Sequence, residues 1–346
     1  MRSPSVDHGG DLAAASAQFP YAPLPWLDLS TGINPFAYPI GEVSTEAWTR
    51  LPEAGAVAAL EAAAASAYGA LAQEVVAAPG TQALIQALPR WLPARSVAIL
   101  GVTYGEHERV WRESGAQAWI VDDIAGLADA DVGVIVNPNN PDGRLVPVDA
   151  LIEIAAVLAR NGGMLVVDEA FVDVLPGYPS LAQRLPETGA VVLRSFGKTY
   201  GLAGLRLGFA IGPPDFAAGL RRRLGPWAVN GPAAEIGARA LADRDWLART
   251  RKRLQSDAAR LDELLTRAGL KIIGGTPLFR LAERADAARV FRRLGKAGIL
   301  VRSFPAKPNW LRFGIPGRPE DWARLEGALM AVRYSRADGL NRKAPR

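Results

Sequence analysis

Short apolar runs alternate with helical stretches along most of the chain. Residues 97–102, 118–121, 132–136, 164–167, 191–193 and 207–211 are apolar segments of strand length. Residues 81–91, 105–115 and 148–160 lie between several of them and read as helices. Continuous apolar strands, as opposed to alternating ones, are buried on both faces. Interleaved with helices, they predict an α/β fold with a mostly parallel central sheet. The Ala-rich run over 53–68 predicts a further helix, since alanine is the best helix former.

The pattern differs at the two ends. The first 40 or so residues are rich in Pro, Gly and aromatics and have no clear helical period, so they read as an extended arm. After Gly225-Pro226 a long helical stretch, 232–268, leads to shorter strands near 271–273, 278–281, 299–303 and 310–315. That segment predicts a second, smaller α+β domain. The expected organisation is an arm at 1–40, a large domain at 41–225, a small C-terminal domain at 226–334 and a polar, disordered tail at 335–346.

Composition removes several kinds of chemistry. The chain has no Cys, which excludes disulfides and thiolate metal sites. Its two histidines, His8 and His107, are too few for a zinc centre without clustered carboxylates, and neither adjoins a nucleophile motif. No metal is expected. No apolar run is long enough for a membrane helix, and residues 1–8 lack the apolar core of a signal peptide. A cytoplasmic protein is therefore expected. The net charge is +5, and 34 of the 40 basic residues are Arg, scattered rather than striped with aromatics. This argues against a nucleic-acid partner and is compatible with anionic small-molecule substrates.

The most informative segment is Ser195-Phe196-Gly197-Lys198-Thr199-Tyr200-Gly201-Leu202-Ala203-Gly204-Leu205-Arg206-Leu207-Gly208. Lys198 is the first lysine in the chain and lies in a Gly-rich loop between two expected strands. A lysine that works as a neutral amine requires a semi-enclosed site, and glycines let backbone turn closely around a ligand. A surface-loop lysine would require neither the flanking Ser and Arg nor the four glycines. The segment resembles the Ser-x-x-Lys-x-x-Gly-x-x-Gly-x-Arg-x-Gly signature of fold-type I pyridoxal-5′-phosphate (PLP) enzymes, in the histidinol-phosphate aminotransferase-like branch. The resemblance implies that Lys198 holds the cofactor's aldehyde, and that Ser195 and Arg206 bind its phosphate.

Three more motifs follow the order of that family. Pro79-Gly80-Thr81-Gln82 precedes a helix and resembles the family's phosphate cup, although Thr81 alone would pass as an ordinary helix cap. Asn137-Pro138-Asn139-Asn140-Pro141-Asp142-Gly143 follows a buried strand and resembles Asn-Pro-x-Asn-Pro-Thr-Gly, with Asp142 in place of Thr. That match implies that Asn140 donates to the cofactor's phenolic oxygen. In Asp168-Glu169-Ala170-Phe171 the match implies that Asp168 holds the pyridine nitrogen protonated. Phe171 departs from the Tyr usual in aminotransferases of this branch. Tyr104 would stack on the cofactor ring, or be a core aromatic.

The outer residues point to one reaction. Arg312, in Trp310-Leu311-Arg312-Phe313-Gly314, resembles the family's substrate-carboxylate arginine, and Arg302 is a candidate for a second anion. His8-Gly9-Gly10-Asp11 and Ser30-Thr31-Gly32-Ile33-Asn34-Pro35, with Asp168–Phe171, resemble the L-threonine-O-3-phosphate decarboxylases of the cobalamin pathway. His8 and Asn34 join the substrate-binding candidates on that basis. Leu51 stands where many relatives carry a Tyr that reaches the cofactor of the partner subunit. The resemblance implies a homodimer that releases CO2 from a small phosphorylated amino acid, forming (R)-1-amino-2-propanol O-2-phosphate. The alternative is a histidinol-phosphate aminotransferase or a related class I/II aminotransferase. A non-catalytic PLP-fold regulator would require a broken lysine motif or a fused DNA-binding domain, and neither is present.

Overall fold

The structure is a computed structural model that describes residues 8–187 and 189–334. The expected disordered tail lies outside the described residues. The chain divides into two compact units: one is Ala37–Thr250, and the other joins the residues up to Phe36 with those from Arg251 onward. The expected boundaries were 40 and 225. The arm instead belongs with the C-terminal unit, because its strand pairs there.

Twelve strands are present among the described residues: β1 (Leu27–Leu29), β2 (Val75–Ala78), β3 (Ser96–Leu100), β4 (Gln117–Val121), β5 (Val132–Val136), β6 (Met164–Asp168), β7 (Ala190–Ser195), β8 (Gly208–Ile211), β9 (Lys271–Thr276), β10 (Phe279–Glu283), β11 (Ile299–Ser303) and β12 (Trp310–Gly314). The unit Ala37–Thr250 holds a seven-stranded sheet in the order β2-β8-β7-β6-β5-β3-β4. β8 runs antiparallel to both neighbours, while the pairs from β7 through β4 are parallel. The sheet is mostly parallel, as the continuous apolar runs require. Each of its faces is covered by an apolar cluster, one containing Leu60, Leu151 and Phe209 and the other Leu84, Trp111 and Leu220. Burial on both faces is why β2, β5 and β8 carry no exposed position.

The other unit holds a five-stranded sheet, β1-β11-β12-β10-β9. β1 joins it parallel to β11, and the remaining pairs are antiparallel. Leu261, Leu265, Val290, Leu294, Phe313 and Leu325 form its core. Two expectations are corrected. The arm contains a helix, Leu12–Gln18, capped by the Asp11 side chain on Ala14 N at 2.9 Å. The helical stretch expected over 232–268 is two helices, Gly231–Ala242 and Arg244–Arg267. Asp243 breaks it, since its Oδ1 accepts from Trp246 N at 2.8 Å and starts the second helix as an N-cap.

Candidate active site

In the seven-stranded sheet β3 lies between β4 and β5. The sheet therefore grows in opposite directions from β3. Such a reversal opens a crevice beyond the strands' carboxyl ends. The loops leaving β3 and β5 are tied together there. Thr103 Oγ1 donates to Asn139 Oδ1 at 2.6 Å, and Asn139 Nδ2 donates to Val102 O at 3.0 Å. Asp142 closes the turn by accepting from Asn139 Nδ2 at 2.8 Å and Arg144 N at 3.0 Å. The Asp that replaces the family's Thr thus folds the loop that carries the half-buried Asn140.

Asp168 is the last residue of β6 and is buried. A carboxylate in that setting requires partners. Its Oδ1 accepts from Ala170 N at 3.0 Å, and its Oδ2 lies 3.0 Å from Nε2 of the fully buried His107. His107 is on the helix Gly105–Glu113, whose N-cap is Tyr104, and the Tyr104 and His107 rings meet edge to face. Tyr104 in turn is fixed from outside. Its hydroxyl donates to Gln82 Oε1 at 3.0 Å, the Gln82 amide donates to Glu106, and Arg109 holds Glu106 with two N–H groups at 2.9 and 2.7 Å. Gln82, expected at the cofactor, has its side chain engaged with Tyr104 and Glu106.

The expected phosphate cup is assembled from three segments. The helix Thr81–Trp91 starts after Gly80, whose φ of +86° favours glycine. A Cβ on Gly80 would come within 2.8 Å of Arg206 Nη2, and one on Gly208 within 2.7 Å of Thr81 N. Gly208 also pairs across the sheet with Ser195. The Ser195 hydroxyl, the Arg206 guanidinium and the N–H groups at the start of this helix therefore share one small region. Arg206 itself has φ of +55°, a left-handed conformation that costs a non-glycine residue roughly 1–2 kcal/mol. Strain of that kind persists where the surrounding structure dictates it, often at functional sites.

Lys198 sits on the single-turn helix Phe196–Thr199, directly after β7. Gly197 beside it admits no side chain, because a Cβ would lie 2.8 Å from Ala203 Cα. Lys198 Nζ is 5.7 Å from the centre of the buried Phe171 ring. Side chains alternate along strands, so the neighbours of the site residues face the other way. There, Arg194 pairs with Glu169 at 3.0 Å and with Asp173, all three buried. Ser180 Oγ donates to Glu169 Oε2 at 2.5 Å. Burial raises the Glu169 carboxyl above the usual range despite these partners. Burial alone would depress Arg194, but Asp173 and Glu169 outweigh it and hold that guanidinium above its ordinary value.

The other unit carries the remaining candidates. Arg302 on β11 and Arg312 on β12 are register partners, directly across an antiparallel pair. Like charges so placed repel. Arg312 is buried; burial first, and Arg302 next, push it down to about 10, against the pull of Asp28. Arg312 Nη2 donates to Ser30 O at 2.8 Å, and its guanidinium lies 4.9 Å from the Phe279 ring centre. Ser30 also organises the N-terminal motif. Its hydroxyl accepts from Gly10 N at 2.7 Å and donates to Asp28 at 2.6 Å. The buried Asn34 folds its own turn by accepting from Phe36 N at 2.9 Å, while His8 is exposed. Sequence reading missed the roles of His107, Asp28 and Ser30. Only the glycine pair at 9–10 gave a local hint of a close approach, and a Cβ on Gly9 would meet the Ser30 carbonyl.

The large sheet with β8 reversed, a carboxylate ending β6 and a lysine just after its neighbour β7 constitute the fold-type I architecture of PLP-dependent aminotransferases. The chain belongs to the family Aminotransferase class I and II, which matches residues 26–326. It is 42% identical to a threonine-phosphate decarboxylase of Pseudomonas aeruginosa over 95% of this chain and 98% of that one. It is 31% identical to histidinol-phosphate aminotransferase 2 of Ralstonia nicotianae, over 88% of this chain and 87% of that one. Among solved structures it resembles the histidinol-phosphate aminotransferase of Sinorhizobium meliloti in complex with pyridoxal-5′-phosphate, with a TM-score of 0.81 and 22% identity over 96% of each chain. No helix among the described residues is long and apolar enough to cross a membrane.

Proposed function

We propose that this chain is a PLP-dependent decarboxylase that converts L-threonine O-3-phosphate to (R)-1-amino-2-propanol O-2-phosphate and CO2, the linker chemistry of cobalamin synthesis. The similarity to a threonine-phosphate decarboxylase along nearly the whole chain carries this reading, and it exceeds the similarity to the histidinol-phosphate aminotransferase relative. The residues present fit the cofactor. Gly80 and Gly208 keep open a cradle that any Cβ would fill, beside a hydroxyl, a guanidinium and a helix N-terminus suited to a phosphate dianion. When bound, PLP supplies an electron sink that stabilises negative charge at the substrate's Cα.

The chain's own residues do the rest. Lys198 is the residue whose amine would hold the cofactor's aldehyde. Gly80, Thr81, Ser195 and Arg206 bind the cofactor phosphate, and Asn140 donates to its phenolic oxygen. Asp168 holds a proton on the pyridine nitrogen, and Tyr104, its hydroxyl tethered by Gln82, packs on the ring. Phe171 supplies an apolar wall beside Lys198 where a tyrosine would offer a hydroxyl. Arg312 binds the substrate carboxylate. Arg302, His8 and Asn34 bind the substrate phosphate. The two cross-strand arginines have the charge a small dianion requires. Which Cα bond breaks would be set by how Arg312 and the phosphate-binding residues hold the substrate.

The enzyme is expected to be a cytoplasmic homodimer, which light scattering at micromolar concentration checks. The reaction is tested by incubating the holoenzyme with L-threonine phosphate and assaying products. CO2 and aminopropanol phosphate should form without a 2-oxo acid, and unphosphorylated threonine should be far poorer, because the phosphate-binding groups are left unpaired. Glutamate formation from histidinol phosphate and 2-oxoglutarate, with no CO2 from threonine phosphate, would replace this reading with the aminotransferase.

A further inference from the structure

We infer that Trp246 is a positioning residue for Lys198, acting through an aromatic column on the far side of the single-turn helix Phe196–Thr199. Its effect on catalysis rests on the proposed role of Lys198, whereas the column is a property of the protein alone. A helix of one turn does not hold itself. Forming the first turn fixes several dihedrals for one hydrogen bond, and here that bond runs from Tyr200 N to Phe196 O at 3.2 Å. The backbone from which the Lys198 amine projects therefore has to be fixed by its surroundings. β7 holds the start of the turn, where Phe196 N donates to Leu207 O at 3.3 Å. The column holds its end.

Helical geometry divides the turn into two sides. Phe196 and Tyr200 are four positions apart and share one face, while Lys198, two positions from each, lies about 200° around the axis on the other. On the shared face, Phe196 and Tyr200 stack with ring centres 4.3 Å apart and planes 9° from parallel. Tyr200 stacks in turn on Trp246, at 5.3 Å and 11°. Tyr38 meets both outer rings edge-on, Tyr200 at 6.1 Å and Trp246 at 5.1 Å, and its N–H donates to Tyr200 O at 2.8 Å. Phe196 and Tyr200 are buried, and the half-buried Trp246 is the outer plate. Asp243 fixes that plate, since its Oδ1 accepts from Trp246 N at 2.8 Å. The helix break at Asp243 thus sets where the indole stands. Without the indole, the Tyr200 ring can tilt and the end of the turn can unwind, which moves Lys198 although nothing touching cofactor or substrate has changed. Misplacement of a reacting group by about 1 Å costs up to about a hundredfold in rate.

Two substitutions separate the flat face from mere bulk. Trp246→Leu keeps an apolar side chain without a face, and Trp246→Phe keeps a face. Phe216→Ala, which removes the edge-to-face partner of Trp91 beside the cluster on the sheet's other face, controls for stability loss alone. In the cofactor-free protein, the rate at which an amine reagent labels Lys198, read by mass spectrometry, should rise severalfold in Trp246→Leu while Lys271, Lys296 and Lys307 keep their rates. In the holoenzyme, kcat for L-threonine phosphate should fall about ten- to a hundredfold with KM nearly unchanged, and the pH midpoint of the bound cofactor's visible absorbance should shift. Trp246→Phe should restore most of each, and Phe216→Ala should move none. Tyr38→Leu should move the same readouts by less and replaces Trp246→Leu if that protein does not fold. A wild-type Lys198 labelling rate in the folded variant overturns the inference whether or not PLP binds, and so do equal effects from Phe216→Ala. Failure of the unaltered protein to form a PLP adduct at Lys198, with the labelling contrast intact, would instead overturn the proposed function.

Discussion

The two units surround their buried arginines differently. In Ala37–Thr250 the buried charged groups of the site have partners. Asp168 has His107 and a backbone N–H, Arg194 has Glu169 and Asp173, and Glu106 has Arg109. In the smaller unit Arg312 is buried beside a second arginine, with Asp28 as a weaker counterweight, and is held below its ordinary value. The first arrangement is complete as folded and suits a resident cofactor. The second sets two guanidiniums across one strand pair, which suits an anionic substrate. Satisfied networks rigidify, whereas burial beside a like charge costs stability.

The sharpest break in this comparison is at Lys198. Lys198→Ala should abolish the borohydride-reducible PLP adduct and lower turnover by several orders of magnitude, with little effect on stability, because Lys198 is only partly buried. An adduct formed in equal yield by the variant would dissociate this lysine from the cofactor.

Next in size is the buried network behind the site. Arg194→Leu leaves Glu169 and Asp173 buried without their cation, and breaking a buried pair in that way costs about 3–5 kcal/mol. Urea unfolding of the holoenzyme measures it. A loss below 1 kcal/mol, or about a third of the smallest value expected, would mean that the larger unit does not depend on matched charges.

What was legible in the sequence follows the same division. The helices at Thr81–Trp91 and Val148–Arg160 and the strands β5 and β11 have the extents expected from their apolar runs, because burial on a regular element leaves a local pattern. β2 was missed: Val75–Ala78 is a four-residue run half made of alanine, too short and too poor in β-formers to stand out as a strand. The break at Asp243 was missed because a capping aspartate inside a long polar helix pattern looks like one more exposed residue. At the site, Lys198, Asp168 and Asn140 stood out through motif order. His107 did not, since its partner is 61 positions away and only the fold joins them. The pairing of Arg302 with Arg312 is equally invisible, because it depends on strand register.

The smaller unit predicts a reversal of the usual sign. Arg312→Met should raise KM for L-threonine phosphate roughly ten- to a hundredfold, the loss of one charge-assisted contact of about 1.5–3 kcal/mol. The same change should stabilise the ligand-free protein. Arg312's descent from its ordinary value to about 10 represents about 3 kcal/mol of charge-burial cost at neutral pH. Loss of the hydrogen bond to Ser30 and of the Phe279 contact returns part of it, so a net gain of about 1 kcal/mol is expected. A stability loss matching the Arg194 variant would erase the distinction between the units.

The smallest effect is a pair of opposite pH slopes. Arg312 releases its proton earlier in the folded chain than in the unfolded one, where the ordinary guanidinium value applies. Above about pH 10, up to the ordinary guanidinium value, the unfolded state therefore binds more protons, and Arg312's contribution makes unfolding free energy rise with pH in that window. Below that window its charge-burial cost is fully present. Anion binding runs the other way, because it requires the charged guanidinium. Affinity for L-threonine phosphate should halve near pH 10 relative to pH 8 and fall by up to about tenfold per further pH unit. Lysines and tyrosines titrate in the same range, so the quantity to measure is the wild-type profile minus that of Arg312→Met. A difference profile flat to pH 11 would show that Arg312 keeps its proton in the folded chain. Affinity for the substrate carboxylate would then have to come from a preformed hydrogen-bond geometry around Arg312.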